Sequence, residues 1–479
     1  MEFDAVVVGS GPNGLAAGIE MARAGCSVCV FEAQDRLGGG TRSAELTLPG
    51  FIHDVCSAIH PMAIASPFFQ TLPLAEHGLE WIQPPAAVAH PFDDGTAAVL
   101  EASIERTGAT LGPDARAYAK VFGPLVRNTP KLIPELLAPP AHIPRHPWAL
   151  MRFGIQAIQS AQHFIDRHFK AKYARGLFAG LAGHAIMPLH LRPTAAFGLV
   201  LGMLGHSGGW PIAKGGSQKL ADALAAHLTS LGGRFVTGTH VTSLGQLPSA
   251  RAILLDVTPL QLLRLAGDQF PASYRWELQK YQYGPGVFKI DWALNSPIPW
   301  KAKECRRAGT LHLGGSAEEI AEGEATVGTG RCPERPFVLL AQQSLFDPSR
   351  APQGQHTAWA YCHVPRGSKI DMTGRIESEV ERFAPGFRDC ILSRHTMTPN
   401  DFENYNPNYI GGDISGGIQN ILQIIARPSL RISPYSTPVD NLFICSASTP
   451  PGAGVHGMGG YYAARAALQR LRYNRQTRR

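Results

Sequence analysis

The sequence predicts an α/β fold in which a parallel sheet is assembled from segments that lie far apart along the chain. Three observations support this prediction. A strand–helix–strand pattern occupies residues 3–31, a similar alternation returns over residues 220–255, and a strand, a glycine-rich turn and a helix occupy residues 442–471. Because parallel strands need crossover helices, such alternation is typical of a sheet covered by helices.

The individual elements follow from hydrophobic periodicity and from glycine and proline positions. Short apolar, β-branched runs predict strands, and longer amphipathic runs predict helices. The region from about Gly112 to Leu204 is predicted to be a mainly helical insertion, interrupted by the Pro139–Pro147 connection. The predicted strands are Phe3–Val8, Ser27–Phe31, Arg234–Val236, Val241–Leu244, Ala252–Leu255, Val287–Leu294, Phe337–Gln342, Thr357–Val364 and Leu442–Cys445. The other predicted helices are Leu15–Ala24, Leu220–Leu231 and Tyr461–Leu471.

Length and composition indicate a globular protein of two or three domains. The chain has 479 residues, of which 44% are hydrophobic. No run approaches the roughly 20 apolar residues of a bilayer span, and the start Met1-Glu2-Phe3-Asp4 lacks the features of a signal peptide. We therefore expect a cytoplasmic protein. The eight cysteines are scattered, which predicts free thiols rather than a disulfide framework or a metal site.

The formal net charge of +7 comes mostly from the C-terminal residues. The arginines concerned are Arg465, Arg470, Arg472, Arg475, Arg478 and Arg479. Such a tail is typical of a solvated terminus, and peripheral contact with an anionic membrane is the alternative. No basic and aromatic surface predicts nucleic-acid binding.

The strongest local signal is the turn Gly9-Ser10-Gly11-Pro12-Asn13-Gly14 between the first strand and the first helix. Gly9 permits the tight turn, Gly11 lets a pyrophosphate approach the backbone, and Gly14 lets the helix pack on the strand. Glu32 ends the second strand, where a carboxylate accepts hydrogen bonds from ribose hydroxyls. The pattern predicts a bound dinucleotide but does not identify which one.

A second glycine turn follows, Asp35-Arg36-Leu37-Gly38-Gly39-Gly40-Thr41-Arg42. From Glu32 to Arg42 the sequence resembles the E-x5-G-G-R signature of the flavoprotein superfamily that contains amine oxidases and carotenoid desaturases. The resemblance implies FAD as the cofactor, with contacts from Ala33 and from Gly38, Gly39, Gly40, Thr41 and Arg42. Arg42 lies two positions later than the family arginine, which leaves its contact with the phosphates open.

Near the C-terminus, Asn441–Cys445 leads into the glycine-rich segment 450–460 and then a helix. This segment resembles the C-terminal flavin motif of phytoene desaturases and carotenoid isomerases. The resemblance implies that Gly457, Met458 and Gly459 face the flavin ring, where backbone N–H groups at a helix N-terminus stabilise negative charge.

Two further segments extend the resemblance. Pro49–Asp54 is similar to the strand that passes the flavin in desaturases and isomerases. Gly215–Ser217 with the following helix is similar to the segment that returns to the FAD domain, and by position Val241 is the valine whose backbone meets the adenine.

Lys289 has two interpretations. In the strand Gly286–Leu294, alternate residues place Phe288, Ile290, Trp292 and Leu294 on one face and Lys289 and Asp291 on the other. The first interpretation is a solvent-facing ion pair. The second rests on resemblance to the amine oxidase strand whose lysine reaches flavin N5 through a water molecule, which makes Lys289 a candidate catalytic residue.

Gly205–Gly209 fits the G-x-S-x-G pattern of serine hydrolases, but the preceding residues look helical, whereas a nucleophile elbow follows a strand. We expect a loop there. Histidines such as His53, His60, His184 and His456 show no metal-ligand spacing, and we predict no metal site.

The sequence thus predicts a Rossmann-like FAD-binding domain built from residues 1–75, 209–270 and 432–479, with an α+β substrate domain and helical insertion from residues 76–208 and 271–431. We expect an FAD-dependent oxidoreductase with noncovalent FAD that transfers hydride between an apolar or lipid-like substrate and flavin N5. The apolar segment 176–205 suits a hydrophobic tunnel. Oxygen or a quinone is the expected acceptor, because no second dinucleotide motif is present. Amine oxidation and a nonenzymatic carrier of prenylated proteins are the alternatives.

Overall fold

A computed structural model of the protein describes residues 2–476, with side chains described through residue 473. Arg478 and Arg479 of the predicted basic tail lie outside the described residues, as does the side chain of Arg475. Among the described helices, none has both the length and the apolar character needed to cross a bilayer.

The strands are short and are spread along the whole chain. They are β1 (Phe3–Val8), β2 (Val28–Phe31), β3 (Ser43–Glu45), β4 (Ile52–Asp54), β5 (Trp81–Ile82), β6 (Ala86–Pro91), β7 (Ala97–Leu100), β8 (Ile212–Ala213), β9 (Arg234–Val236), β10 (Ala250–Leu255), β11 (Gly286–Leu294), β12 (Ala308–Leu313), β13 (Val338–Ala341), β14 (His356–Val364), β15 (Ile391–Met397) and β16 (Leu442–Ile444).

The helices concentrate between residues 104 and 230. They are α1 (Pro12–Arg23), α2 (Pro61–Ile64), α3 (Ile104–Ala109), α4 (Ala115–Arg127), α5 (Thr129–Leu136), α6 (Pro147–Ala157), α7 (Ala161–His168), α8 (Lys172–Gly183), α9 (Thr194–Ser207), α10 (Gln218–Ser230), α11 (Pro259–Ala266), α12 (Ala272–Gln279), α13 (Ala317–Gly328), α14 (Thr373–Phe383), α15 (Pro399–Tyr405), α16 (Ile421–Ile425) and α17 (Met458–Gln476).

A five-stranded parallel sheet has the order β16-β10-β1-β2-β9, so it joins three distant parts of the chain. In its centre, Val6 pairs with Ile253 on one side and Cys29 on the other. Side chains alternate between the two faces: Ala5 and Val7 enter the core that contains α1, and Val6 enters the core that contains α11 and α12. The predicted α/β class with a sheet of discontinuous segments is confirmed.

Helix α17 packs directly on α1, close to where the parallel strands end. A Cβ atom on Gly460 would lie 1.8 Å from the carbonyl oxygen of Asn13, so only glycine permits this approach. The first turn of α17 is therefore held against the first turn of α1, and the two ends of the chain form one structural unit.

A second, seven-stranded mixed sheet has the order β15-β11-β14-β13-β12-β6-β7. Neighbouring strands are antiparallel except for β12 and β6, which are parallel. One face packs against α14 around Trp292 and Phe387, and α8 contacts β6, β7 and β12. The helices α3 to α9 form the predicted helical insertion.

One predicted strand is wrong. Residues 241–244 form no strand and instead run through a loop into a 3-10 turn over Leu244–Gln246. The side-chain oxygen of Gln246 accepts hydrogen bonds from the backbone N–H groups of Thr242 and Ser243, so local capping replaces sheet pairing.

The G-x-S-x-G segment is helical rather than the predicted loop at its serine. Ser207 is the last residue of α9, and its hydroxyl donates to the carbonyl of Met203 at 2.9 Å. That arrangement lacks the strand-to-helix turn of a serine nucleophile.

Candidate functional site

A cavity of about 600 Å³ lies where the carboxyl ends of the parallel strands face the seven-stranded sheet. We call one end the glycine end; it is lined by Gly9–Asn13, Glu32–Gln34 and Gly39–Arg42. We call the other end the apolar lobe; it is lined by Ile59, Met62, Ile186, Leu201, Trp210, Leu339, Leu340, Trp359 and Tyr361. Ligands of open α/β sheets bind at the carboxyl ends of strands, which is where this cavity lies.

The two N-terminal glycine turns touch each other at the glycine end. Gly9 has a φ of +97°, which side chains rarely adopt, and a Cβ on Gly14 would lie 2.0 Å from the carbonyl oxygen of Gly9. A Cβ on Gly39 would lie 3.0 Å from the Cα of Gly11. The absence of side chains at these positions leaves a backbone-lined cradle at the N-terminus of α1.

Glu32 holds the two turns together. Its Oε2 accepts hydrogen bonds from the backbone N–H of Ser10 at 2.9 Å and from the Ser10 hydroxyl at 2.5 Å, and its Oε1 accepts from the backbone N–H of Gln34 at 3.0 Å. Gly38 donates its N–H to the carbonyl of Ser10 at 3.1 Å. Glu32 and the neighbouring Ala33 line the cavity, where the sequence places the ribose.

Arg42 lies in the cavity wall with its charge paired. Its Nη2 is 2.9 Å from Glu32 Oε1, its Nε donates to the carbonyl of Arg36, and its guanidinium lies 5.3 Å from the centroid of the Tyr405 ring. The two-residue offset from the family pattern thus coincides with an ion pair to Glu32, while Gly40 and Thr41 line the cavity beside it.

Asp256 is a site residue that the sequence reasoning missed. It follows β10, lines the cavity, and accepts a hydrogen bond from the backbone N–H of Gly14 at 3.0 Å. Burial raises the pKa of its carboxyl to about 7, and the negative charge of Glu32 adds to the rise. The sequence feature that could have identified Asp256 is its position directly after a predicted strand of the parallel sheet.

Val241 lines the cavity together with Thr239, His240 and Thr242. The backbone N–H of Thr239 donates to the carbonyl of Glu32 at 2.9 Å, which fixes this loop beside the end of β2. The structure therefore brings Val241 to the same cavity as the two glycine turns.

The C-terminal glycine turn reaches the cavity through other residues than those implied by the resemblance. Ala453, Gly454 and Val455 line the cavity, whereas Gly457, Met458 and Gly459 do not. A Cβ on Gly457 would lie 2.5 Å from the Phe69 ring, and one on Gly459 would lie 3.1 Å from the Ser446 carbonyl oxygen. These glycines permit close packing of α17.

The backbone N–H of Met458 is already engaged. It donates to Nδ1 of His456 at 3.0 Å, and burial lowers the pKa of His456 to about 4, so the ring is a neutral acceptor. In this structure the N-terminus of α17 is capped from within the chain.

Lys289 is not among the residues that line the cavity. As predicted, it lies with Asp291 on the face opposite Trp292, and their side chains form an ion pair. The solvent-facing interpretation is wrong, however, because Lys289 is 1% exposed. Its ammonium lies 5.6 Å from the ring centroid of Trp359, which does line the cavity.

Three nitrogen-bearing side chains surround the carboxylate of Asp291 and stabilise its charged form. Burial alone would raise the pKa of this carboxyl, but Lys289, His395 and His53 together hold it below the ordinary value. His53 Nδ1 lies 3.5 Å from one carboxylate oxygen and His395 Nδ1 lies 3.7 Å from the other. The cluster surrounds the buried ion pair of Lys289 and Asp291.

The apolar lobe carries no charge. The acidic residues among the described cavity lining are Glu32 and Asp256, and both lie at the glycine turns. Three histidines line the cavity, and His240 lies beside Val241, away from the lobe. Burial lowers the pKa of the other two, His60 to about 4 and His184 to about 3, so these two are neutral at pH 7. Trp359 and Tyr361 contribute a ring pair with centroids 5.5 Å apart.

The residues fit a dinucleotide. A Cβ atom on Gly39 would fill the space between Gly39 and Gly11. That space lies at the N-terminus of α1, and helix N-termini bind anions such as phosphate. The cavity is continuous from there to the apolar lobe, so a nucleotide at one end and a substrate at the other would share it.

Comparison with known proteins agrees with this arrangement. Residues 7–72 match the family model of an NAD(P)-binding Rossmann-like domain. The chain is 24% identical to pyridine nucleotide-disulfide oxidoreductase domain-containing protein 2 of Rattus norvegicus, over 98% of this chain and 94% of that protein.

Two bacterial relatives are also similar over nearly the whole chain. One of the polypeptides of the limonene dehydrogenase of Castellaniella defragrans is 22% identical over 99% of this chain and 96% of its own length. The neurosporene-forming phytoene desaturase of Rhodobacter capsulatus is 25% identical over 94% and 91%.

The fold is that of amine oxidases of known structure. Putrescine oxidase bound to putrescine superimposes with a TM-score of 0.64 at 17% identity, covering 98% of this chain and 99% of that chain. These matches confirm the resemblance predicted from the glycine motifs, and they confirm an oxidoreductase.

Proposed function

We propose that this chain, an oxidoreductase of the superfamily that contains amine oxidases and carotenoid desaturases, binds FAD noncovalently and oxidises a neutral apolar substrate by hydride transfer to flavin N5. The chemistry that bound FAD supplies is acceptance of that hydride. The residues of the chain bind and orient the two molecules and keep water away.

The observation that carries the proposal is the uncharged apolar lobe. Aliphatic and aromatic side chains line it, its histidines are neutral, and both acidic lining residues lie at the glycine turns. A cationic amine buried in that lobe would lack a carboxylate partner, and an unpaired buried charge is costly. A hydrocarbon or other neutral lipid incurs no such cost.

The glycine end supplies the cofactor contacts in this proposal. Gly9, Ser10, Gly11, Pro12, Asn13 and Gly14, with Gly38, Gly39, Gly40 and Thr41, would hold the pyrophosphate. Glu32 and Ala33 would meet the ribose, and Val241 the adenine. Ala453–Val455 form the cavity wall that connects this end to the C-terminal turn.

Noncovalent attachment is supported by the chemistry of the lining thiol. Cys56 is the cysteine among the described lining residues, and burial raises the pKa of its thiol. A protonated thiol is a poor nucleophile, so it is a poor candidate for a tether.

Oxygen or a quinone is the proposed electron acceptor. In this proposal Lys289, behind Trp359, is a positioning residue for the oxidative half-reaction rather than a group that touches the substrate. Its distance of 5.6 Å from the Trp359 ring supports an effect through the cavity wall.

The experiment is an anaerobic reduction screen of the FAD-loaded protein. Phytoene and limonene represent neutral hydrocarbons, putrescine represents amines, and NADPH represents nicotinamides. We expect the visible flavin absorbance to bleach with a hydrocarbon and to persist with the other two classes. Bleaching by putrescine alone would instead establish amine oxidation, and bleaching by NADPH alone would contradict the proposed reductive half-reaction.

A variant of the apolar lobe controls the screen. Leu201→Trp adds an indole to the cavity wall, so it should abolish hydrocarbon-dependent bleaching without changing FAD content. Leu392→Trp is the matched control, because Leu392 is exposed on β15 and lies outside the cavity lining. Equal loss of activity in both variants would show that the apolar lobe is not the substrate site.

A further inference from the structure

Helix α6 and the loop before it present large apolar side chains to solvent. The exposed residues are Ile143, Trp148, Met151, Ile155 and Ile158. From Trp148 onward their spacing of three, four and three residues makes one stripe along the helix. The opposite side of α6 is buried through Phe153 and Ala157, so the helix is folded onto the protein and still shows a second apolar face outward.

A second exposed apolar segment lies over residues 421–432. Its exposed members are Leu422, Ile425, Leu430 and Ile432, with Leu422 80% and Ile432 95% exposed. Together the two sets form what we call the outer apolar surface. Scattered single apolar residues are ordinary, but a group of this size is characteristic of an interaction site.

Tyr462 of α17 interacts with a residue near each segment. Its ring stacks on Tyr435, three residues beyond Ile432, with centroids 6.0 Å apart. Burial raises the pKa of Tyr462, and the nearby guanidinium of Arg145, at the start of the α6 segment, opposes that rise. Tyr462 therefore stacks on a residue close to the end of the second segment and lies within electrostatic range of Arg145 in the first.

The loop before α6 is held in place rather than loose. Glu135 Oε1 accepts the backbone N–H groups of Arg145 and His146 at 2.8 and 2.9 Å, and Oε2 is 2.5 Å from His142 Nε2. A buried carboxylate thus fixes the loop from which Ile143 projects 93% exposed. An outward isoleucine on a fixed loop is available to insert into a partner.

The charged side chains within the two segments are all basic. Residues 136–165 and 414–439 contain no aspartate or glutamate, and Arg145, Arg152 and Arg431 are exposed among the apolar side chains. Tryptophan and arginine beside aliphatic residues are typical of elements that lie in the interface of a membrane.

We propose that the outer apolar surface docks on an anionic lipid membrane. The aliphatic and indole side chains enter the boundary of the acyl chains, and the arginines pair with lipid phosphates. A second copy of the chain is a poorer occupant, since a symmetric contact would bring arginines against arginines. None of its residues belongs to the basic C-terminal tail of the sequence.

The position suits delivery of a membrane-dissolved molecule. Helix α6 packs against α9, and Leu201 of α9 lines the apolar lobe. The docking proposal does not rest on the proposed reaction, because it concerns binding to lipid without substrate or turnover.

The test is sedimentation of the purified protein with vesicles made from equal parts of phosphatidylglycerol and phosphatidylcholine, compared with pure phosphatidylcholine. We expect binding to the anionic vesicles, weakened by added salt. The test variant combines four substitutions, Trp148→Gln, Ile155→Gln, Leu430→Gln and Ile432→Gln. It should need at least about tenfold more lipid than the wild type for half-maximal binding, because it has lost apolar side chains that enter the membrane.

The matched control combines Ile370→Gln and Leu392→Gln, which are exposed apolar positions outside both segments. The control should bind as the wild type does, and circular dichroism should show both variants folded. Three results would each overturn the proposal. They are no vesicle binding by the wild type, equal vesicle binding by the wild type and the variant with four substitutions, and dimerisation that depends on the four substituted residues. Because these readouts contain no substrate, they stand whether or not the reaction proposal fails.

Discussion

The carboxylate of Asp256 accepts a hydrogen bond from the backbone N–H of Gly14 at 3.0 Å, although the two residues are 242 positions apart. The contact brings an acidic side chain from β10 to the turn that the dinucleotide motif forms. A Cβ on Gly11 would lie 2.7 Å from the same carboxylate oxygen. The cradle proposed for a doubly charged pyrophosphate therefore contains a partly buried acid.

Replacing Asp256 with asparagine should change how stability depends on pH. The pKa of Asp256 in the folded protein is about 7, above its ordinary value of 3.8. The unfolded chain therefore loses this proton first, and the stability present below about pH 4 is lost as pH rises to about 7. Asp256→Asn lacks this loss, so its melting temperature relative to wild type should rise across that interval and level off above it. A difference that stays constant from pH 4 to pH 8 would contradict the prediction.

The Glu32–Arg42 ion pair should contribute to stability as a coupled unit. Both side chains are less than a tenth exposed and their charged atoms lie 2.9 Å apart. Glu32→Gln and Arg42→Met should each destabilise the fold, and the double variant should lose less than the sum, with a coupling energy of about 1–3 kcal/mol. Urea denaturation of the four proteins measures this. Additive losses would show that the pair is not coupled.

Lys289→Met should be strongly destabilising, because it leaves the carboxylate of Asp291 buried without its main partner. The expected loss is about 3–5 kcal/mol in urea denaturation. The double variant Lys289→Met with Asp291→Leu removes both charges and should recover most of that loss. In the double variant, oxygen should reoxidise the reduced FAD more slowly than in the wild type, because the proposal gives Lys289 a positioning role in this half-reaction. An unchanged reoxidation rate would leave the pair a structural one.

Two glycine substitutions should act in opposite directions. Gly460→Ala should destabilise the protein by about 3 kcal/mol, since the new methyl group meets the backbone of Asn13 in the α1–α17 contact. Gly154→Ala, in α6 with open space around it, should stabilise the protein by about 0.5–1 kcal/mol. Thermal denaturation compares the two. An unchanged stability of Gly460→Ala would indicate a different packing of α17, and a loss of stability from Gly154→Ala would contradict the open space around α6.

Local patterns predicted the parts of the structure that depend on neighbours in sequence. The Gly9–Gly14 turn lies between β1 and α1 as its strand–turn–helix context requires, and Glu32 follows β2. The alternation along β11 placed Lys289 and Phe288 on opposite faces, but it contained no information about burial. That depends on β14 and on His53, which come from other parts of the chain.

The remaining differences arise from local capping and from tertiary contacts. The β-branched run from Val241 favours a strand, yet Gln246 caps the loop and no strand pairs with it. The glycines at 457 and 459 resemble cofactor contacts in sequence, and the structure shows that they also allow α17 to pack closely on Phe69 and Ser446. Asp256 becomes a site residue only when β10 pairs with β1.

A crystal structure of the protein with FAD bound would locate each part of the cofactor. We expect the pyrophosphate between Gly11 and Gly39, the adenine beside Val241, and the flavin ring extending toward Trp359 at the entrance of the apolar lobe. FAD bound outside this cavity, or a ring directed away from the lobe, would contradict this expectation.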